Sequence, residues 1–394
     1  MAITLFRNLR LVDSEFKSHT EKMALVTDKG IIRWLGPQNK VPKNFKVRKS
    51  IDLKNQLVFP SFIECHTHSI FAGSRAEEFE MRNQGATYLE IAQKGGGIIS
   101  TMKATRDASM KNLLTETQKR VDRFVKQGVS TLEIKSGYAL DLENEVKLLN
   151  VVKKLKGPRI ISTFLGAHAK PPEFQTHSEY LKYLAATVLP VIKKKKLADR
   201  VDIFIEHGFF EKMESQAFLK QAANLGFHLT VHANQLSLSA GAEVALSLKA
   251  KSADHLIFMN EGLIKAFANS KTVAVLLPMA DLYLKCAYPP ARKLIDAGAC
   301  VALATDFNPG SCPSQDLATV GLLARLEMKM TLPEVFKAYT FGAACALGIE
   351  AEEGRLEVGK FANFITTQAT QADFFYSAGY TPDHQLFIRG KAVN

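Results

Sequence analysis

Leu57-Val-Phe-Pro-Ser-Phe-Ile-Glu-Cys-His-Thr-His68 is an apolar, β-prone run that ends in two imidazoles one residue apart. Strand side chains alternate faces with a period of two, so His66 and His68 are expected to point the same way. Two neutral imidazoles converging at a strand's end make half of a first-row transition-metal site. A lone His-x-His also occurs in ordinary turns, so its meaning depends on what the rest of the chain brings to it.

Working outward, strand-like and helix-like segments alternate. After Leu57–His68 the strand candidates are Val129–Tyr138, Arg159–Ala169, Val201–His207, Phe227–Asn234, Ala253–Met259, Thr272–Pro278 and Ala299–Asn308. Amphipathic stretches such as Met110–Lys126, Leu142–Lys156 and Ala217–Leu225 lie between them. Eight strands with intervening helices define an α/β protein with a (β/α)8 TIM-type barrel, here assigned to residues 57–355. The flanks have another texture: Gly30-Ile-Ile-Arg-Trp-Leu-Gly36 and Gln385-Leu-Phe-Ile-Arg-Gly-Lys-Ala-Val393 alternate with period two between turns. Residues 1–56 and 356–394 are therefore expected to build one small β-sandwich domain from both termini.

The 394 residues, 46% of them hydrophobic, supply a large core. No apolar run reaches the roughly 18–20 residues of a membrane span, and the first residues lack a signal-peptide layout. Five scattered cysteines (Cys65, Cys286, Cys300, Cys312 and Cys345) fit free thiols in a reducing cytoplasm better than a disulfide frame. A net charge of +12 raises nucleic acid as a partner. Much of that excess sits in lysine runs such as Lys193 to Lys196, with no aromatic residues interleaved to stack bases. These runs read as solvated helix faces. A small anionic molecule is the better-suited partner.

In a barrel the chemistry gathers at the C-terminal ends of the strands. His66 and His68 end the first candidate, Tyr138 the second, His168 the third, and Glu206 and His207 the fourth. His232 and Gln235 fall at the fifth, His255 at the sixth, and Asp306 and Asn308 at the eighth. Each residue alone has a bland reading, but chance does not readily place so many at one rim. His66, His68, His232 and Asp306 make a coherent metal shell that leaves room for water. Such an ion would lower the pKa of bound water and supply hydroxide. Asp306 would take the water's proton and pass it to a leaving nitrogen. His255 would donate a hydrogen bond to a carbonyl oxygen as charge develops there. His228, of like parity to His232 but four residues deeper, is read as barrel filling. His19, His177 and His384 are read as surface.

The pattern extends to longer motifs. Phe71-Ala-Gly-Ser-Arg75, Ala92-Gln-Lys-Gly-Gly-Gly-Ile-Ile-Ser-Thr101, Glu133-Ile-Lys-Ser-Gly-Tyr138, Thr163-Phe-Leu-Gly-Ala-His168, Ser252-Ala-Asp-His255 and Ala304-Thr-Asp-Phe-Asn-Pro-Gly-Ser311 resemble the imidazolonepropionase family. That family lies in the mononuclear-metal branch of the amidohydrolase superfamily. The resemblance implies ring opening of 4-imidazolone-5-propanoate to N-formimino-L-glutamate, a step of histidine degradation. It implies one zinc or iron ion per chain and a homodimer. Arg75 would engage the propionate carboxylate, with Tyr88 a second candidate. Tyr138 and His168 would contact substrate, and Asn308, Gly310 and Ser311 would hold the product side.

Two departures stand out. Gln235 occupies a position where many relatives carry an acid. An amide cannot shuttle a proton near neutral pH, which counts against deaminase chemistry and leaves Gln235 to orient the ring. Asn363 stands where the superfamily commonly has Asp, which puts a turn contact in question. No lysine for carbamylation between two metals ends the third or fourth strand, where His168 and Glu206-His207 stand. A scaffold that has lost its metal is the competing class, and a full ligand set beside His255 argues against it.

Overall fold

The run that opens at Leu57 is shared between two sheets in the computed structural model, which describes residues 3–13, 16–19, 21–86 and 96–393. β1 (Thr4–Leu11), β2 (Met23–Asp28), β3 (Ile31–Pro37) and β4 (Lys49–Pro60) come first. The barrel strands follow as β5 (Phe62–Glu64), β6 (Val129–Lys135), β7 (Arg159–Ala167), β8 (Arg200–Ile205), β9 (His228–Ala233), β10 (Ser252–His255), β11 (Val273–Leu276) and β12 (Val301–Leu303). β13 (Phe364–Thr367), β14 (Gln385–Ile388) and β15 (Lys391–Val393) close the chain.

The single strand expected over 57–68 is thus two. Pro60 has no N–H to continue a ladder, and the chain changes partners two residues on, at Phe62. Ser61 N still donates to Asn363 O of the terminal sheet (3.2 Å), whereas Phe62 N donates to Gly128 O at the foot of β6 (3.0 Å). His66 and His68 accordingly lie just past β5.

The eight barrel strands are hydrogen-bonded in chain order and parallel. The ring is drawn together by residues of the His66 and Asp306 segments. Thr67 bridges Phe307, His68 N donates to Phe307 O (2.9 Å), and Asp306 N donates to His66 O (3.2 Å). The seam of the barrel is therefore also its chemical centre.

The helices behave as their sequences ask. Met110–Lys126 starts at Ser109, whose side chain accepts from Asn112 N, and buries Leu113, Val121 and Phe124. Leu142–Val152 starts at Asp141, whose carboxylate accepts from Asn144 N. Lys194, Lys195 and Lys196 are exposed, as a solvated face should be. Among the described residues no helix is long and apolar enough to cross a membrane.

The terminal strands form one mixed sheet, β15-β14-β13-β4-β1-β2-β3, which curls over its own core. Phe6 on β1 meets Phe387 on β14, ring centroids 5.5 Å apart, although two strands separate them in the sheet. An aromatic cluster fastens this sheet to the barrel floor: Phe59 of β4 packs on Phe336 (5.2 Å) and Phe374 (5.3 Å), and Phe62 of β5 on Phe375 (5.7 Å). The Asn363 contact is made without an acid: its Oδ1 accepts from Arg389 N (2.8 Å) and its Nδ2 donates to Glu353 (3.2 Å).

His228 does not fill the barrel. It opens β9 and is exposed. Four residues of strand cover about 13 Å, enough to carry a side chain from the active rim to the opposite mouth.

Candidate active site

His66, His68, His232, His255 and Asp306 converge at the C-terminal rim, each no more than 3% exposed. Asp306 Oδ1 lies 3.3 Å from both His66 Nε2 and His68 Nε2, and His68 Nε2 lies 3.4 Å from His232 Nε2. Donors bound tetrahedrally at about 2.0–2.1 Å stand about 3.3–3.4 Å apart, so these separations match the edges of a metal polyhedron. His66 Nε2 is buried and among the described residues has no hydrogen-bond partner. Two overlapping groups, His66 with His68 and Asp306 and His66 with His232 and His255, each have ligand atoms close enough together to hold a first-row ion. His255 also comes within ligand range of His66 and His232.

Behind the imidazoles lies a buried layer of charge. Asp254 Oδ2 sits 2.6 Å from His66 Nδ1, and Asp202 Oδ2 sits 3.0 Å from His232 Nδ1, the second as an ion-pair contact not aligned as a hydrogen bond. Each carboxylate turns an outer nitrogen so that the inner one faces the centre. Lys135 binds this layer, 2.9 Å from Asp202 Oδ2, 3.1 Å from Glu133 Oε1 and 3.9 Å from Asp254 Oδ2. Glu64 stitches the seam by accepting from Thr305 N (3.1 Å) and His66 N (3.1 Å). The roles of these residues are not apparent from the sequence alone, though a signal is present. Glu133 and Lys135 share one parity inside a fully buried and otherwise uncharged strand, and two buried charges at that spacing call for partners.

Backbone shape completes the cluster. Asp254 and His255 are adjacent and would face opposite sides of a regular strand. His255 has φ 77°, and both side chains reach the same centre. Asp306 has φ 55°. Such conformations cost non-glycine residues of order 1–3 kcal/mol and gather where function requires them.

The charges follow from the surroundings. Burial raises the Asp306 carboxyl, but the close His66 and His68 imidazoles, each 3.3 Å away, outweigh it and hold the group well below the usual range. Burial drives His255 down to about 3 and His68 down to about 4, so both are neutral at pH 7. Burial likewise keeps His168 neutral, and its Nδ1 meets Gly137 O at 3.2 Å while its ring stacks on His68 at 5.0 Å. The Tyr138 ring centroid lies 5.3 Å from that of His168, and burial raises its hydroxyl above the usual phenol range.

A cavity of about 200 Å³ opens above this cluster, and Arg75, Tyr138, His168, Gln235, Asn308, Gly310 and Ser311 all line it. Arg75 precedes the helix Ala76–Asn83 and donates Nε to Glu78 Oε2 (2.8 Å). Its fork rests on Gly310, where a Cβ would stand 2.0 Å from Arg75 Nη1. Asn308 Oδ1 accepts from Gly310 N (2.9 Å) and Ser311 N (2.8 Å), and its Nδ2 donates to Asp306 O (2.8 Å). Its amide therefore shapes the turn that carries Asp306.

Glu206 acquires a task the sequence left open. Its carboxylate accepts from Leu236 N (2.8 Å) and from the Ser237 hydroxyl, which fixes the loop bearing Gln235. His207 instead points to solvent, 3.7 Å from Glu211. Tyr88 and the first residues of the Ala92–Thr101 motif lie outside the described residues.

Asp281, near Asp306 in the helix after β11, is 1% exposed, and among the described residues neither carboxylate oxygen has a hydrogen-bond partner. Burial, then the Asp306 charge, raises its pKa to about 8 from the model-peptide value of 3.8. The fold keeps a proton that the unfolded chain releases, so stability present below pH 3.8 is lost as pH rises toward 8. Asp281→Asn is expected to gain about 1–3 kcal/mol over the parent at pH 9 and little at pH 4 in urea unfolding. Equal gains at both pH values would contradict this reading.

A closed parallel barrel with imidazoles and a carboxylate at its C-terminal rim defines a metal-dependent hydrolase of the amidohydrolase type, and the Amidohydrolase family model matches residues 57–393. The chain belongs to that family. Within it, the chain is 54% identical to an imidazolonepropionase of Bdellovibrio bacteriovorus over 98% of this chain and 92% of that one, and so belongs with the imidazolonepropionases. Relatives of the same name from Acinetobacter baumannii (42% identical, 88% of each chain) and Fusobacterium nucleatum (42%, 87% and 84%) match as well. Solved structures of the same fold include an adenosine deaminase from Xanthomonas campestris with bound zinc and a triazine hydrolase variant. The first has a TM-score of 0.75 at 17% identity over 99% and 92% of the two chains. The second has 0.77 at 16% over 100% and 94%.

Proposed function

We infer that the chain hydrolyses 4-imidazolone-5-propanoate to N-formimino-L-glutamate, the ring-opening step of histidine degradation. The observation that carries this reading is the 54% identity to an imidazolonepropionase across nearly the whole chain, joined to a rim whose donor spacing fits one metal ion. His66, His68, His232 and Asp306 would hold that ion, zinc or iron, and three imidazoles with a carboxylate suit either. The bound ion supplies Lewis-acid activation of a water molecule at neutral pH.

The chain's own groups do the rest. Arg75 takes the propionate carboxylate and fixes the ring's orientation. Tyr138 and His168 close on the ring, and Gln235 hydrogen-bonds to it. His255, neutral and buried, donates to the carbonyl oxygen and strengthens that bond as the carbon becomes tetrahedral. Asp306 accepts a proton from the attacking water and returns it to the ring nitrogen, so that the C–N bond breaks, and the new carboxyl group releases water's second proton to solvent to leave a carboxylate. Asn308, Gly310 and Ser311 hold the product side. A deaminase would need an acid where Gln235 stands.

Around this centre we place a barrel over 57–355 and a terminal domain over 1–56 and 356–394, with Leu57–Pro60 completing the fourth strand of the latter. A homodimer is proposed from the family resemblance. A cytoplasmic setting is supported by five free cysteines. Arg75→Met is expected to raise KM for 4-imidazolone-5-propanoate by about tenfold or more and to change kcat much less. An unaltered KM would place the carboxylate elsewhere.

A further inference from the structure

We propose that Arg82 is a second substrate-binding cation and that Arg75, Glu78 and Arg82 together set the charge of the side arm the site accepts. This goes beyond the ring-opening reading and takes from it only the identity of the substrate.

All three residues lie on the helix Ala76–Asn83 or its N-terminal cap, and all three line the cavity. Glu78 is fixed from two sides. Its Oε2 accepts from Arg75 Nε (2.8 Å), and its Oε1 accepts from Gly97 N (2.8 Å) and the Ser100 hydroxyl (3.2 Å). With Nε engaged, Arg75 keeps the Nη edge of its fork for a ligand. Arg82 reaches the same spot from about two turns further along the helix and donates Nη2 to Gly310 O (3.2 Å). Both guanidiniums therefore meet Gly310, Arg75 over its α-carbon and Arg82 at its carbonyl.

Arg75 has a carboxylate partner, whereas among the described residues Arg82 has none within ion-pair distance. Burial and the neighbouring Arg75 charge disfavour its cation, with Glu78 offsetting only part of this, and an incoming anion would relieve the remainder. Among the described residues of this wall, two guanidiniums stand against one carboxylate, an excess of a single positive charge. One propionate neutralises it, whereas an uncharged arm leaves Arg82 uncompensated. Gly310 belongs to the same device, because any Cβ would collide with the Arg75 fork. The sequence gives weak notice of Arg82, since an arginine on a polar helix reads as surface.

The test uses the metal-loaded full chain and two stable probes, imidazole-4-propanoate and its neutral propanamide, bound by calorimetry to the parent, Arg82→Met and Arg82→Lys. The parent should prefer the carboxylate. Arg82→Met should weaken the carboxylate about tenfold or more and leave the amide unchanged, and Arg82→Lys should recover part of the loss. In turnover of 4-imidazolone-5-propanoate, KM should rise in parallel while kcat stays within about threefold. Equal weakening of both probes would reduce Arg82 to a prop for the Gly310 turn and overturn the proposal. So would no weakening of either, or a parent without preference for the carboxylate. A parent that binds the carboxylate selectively but does not open the imidazolone ring would sink the substrate assignment and leave the charge-selective wall standing.

Discussion

Replacing Asp306 by Asn is expected to lower kcat by about ten-thousandfold or more while the barrel stays folded. The amide keeps the size and the left-handed backbone of the residue, a conformation Asn tolerates well. What it loses is the anionic oxygen 3.3 Å from both His66 Nε2 and His68 Nε2, and with it the carboxylate placed to carry a proton between water and the ring nitrogen. Gln235 cannot substitute, because an amide does not exchange protons in this pH range. Turnover should be measured beside metal content by elemental analysis. Activity within tenfold of the parent would remove Asp306 from the proton path.

The second large effect is expected at His255. Truncation to Ala should cost about a hundred- to a thousandfold in kcat, the usual consequence of deleting one donor to a developing oxyanion. Metal content should remain near one ion per chain, because His66, His68, His232 and Asp306 are untouched. This outcome is informative, since His255 also lies within ligand range of His66 and His232. Loss of metal together with activity would make His255 a ligand and not a hydrogen-bond donor. The backbone at φ 77° complicates an Ala substitution, so His255→Asn, which adopts that region more easily, should be run in parallel.

How much of this was legible in the sequence differs by level. The barrel was readable because eight apolar runs recur with amphipathic helices between them, and Met110–Lys126 has the expected bounds. The rim was readable because polar residues in apolar strands stand out when they fall at strand ends. The division at Pro60-Ser61 was not, since apolar character continues across it and the change is one of hydrogen-bond partners. The charged layer behind the ligands was hidden for another reason. Lys135, Asp202 and Asp254 are held by residues far away in sequence, and their pairing exists only once the strands are side by side. His228 was misplaced because parity says which way a side chain points but not how deep it sits. Glu206 and His207, adjacent in sequence, part company in space, one fixing the Gln235 loop and the other reaching solvent.

The central claim, a metal-dependent opening of the imidazolone ring, is tested most directly by ultraviolet absorbance. The purified, metal-loaded chain is added to freshly generated 4-imidazolone-5-propanoate, with and without prior stripping by a chelator. The account predicts loss of the imidazolone band well above its spontaneous decay, abolition by stripping, and recovery when zinc or iron is restored. Decay no faster than in buffer with fully metallated protein, or rapid decay that survives metal removal, would contradict it.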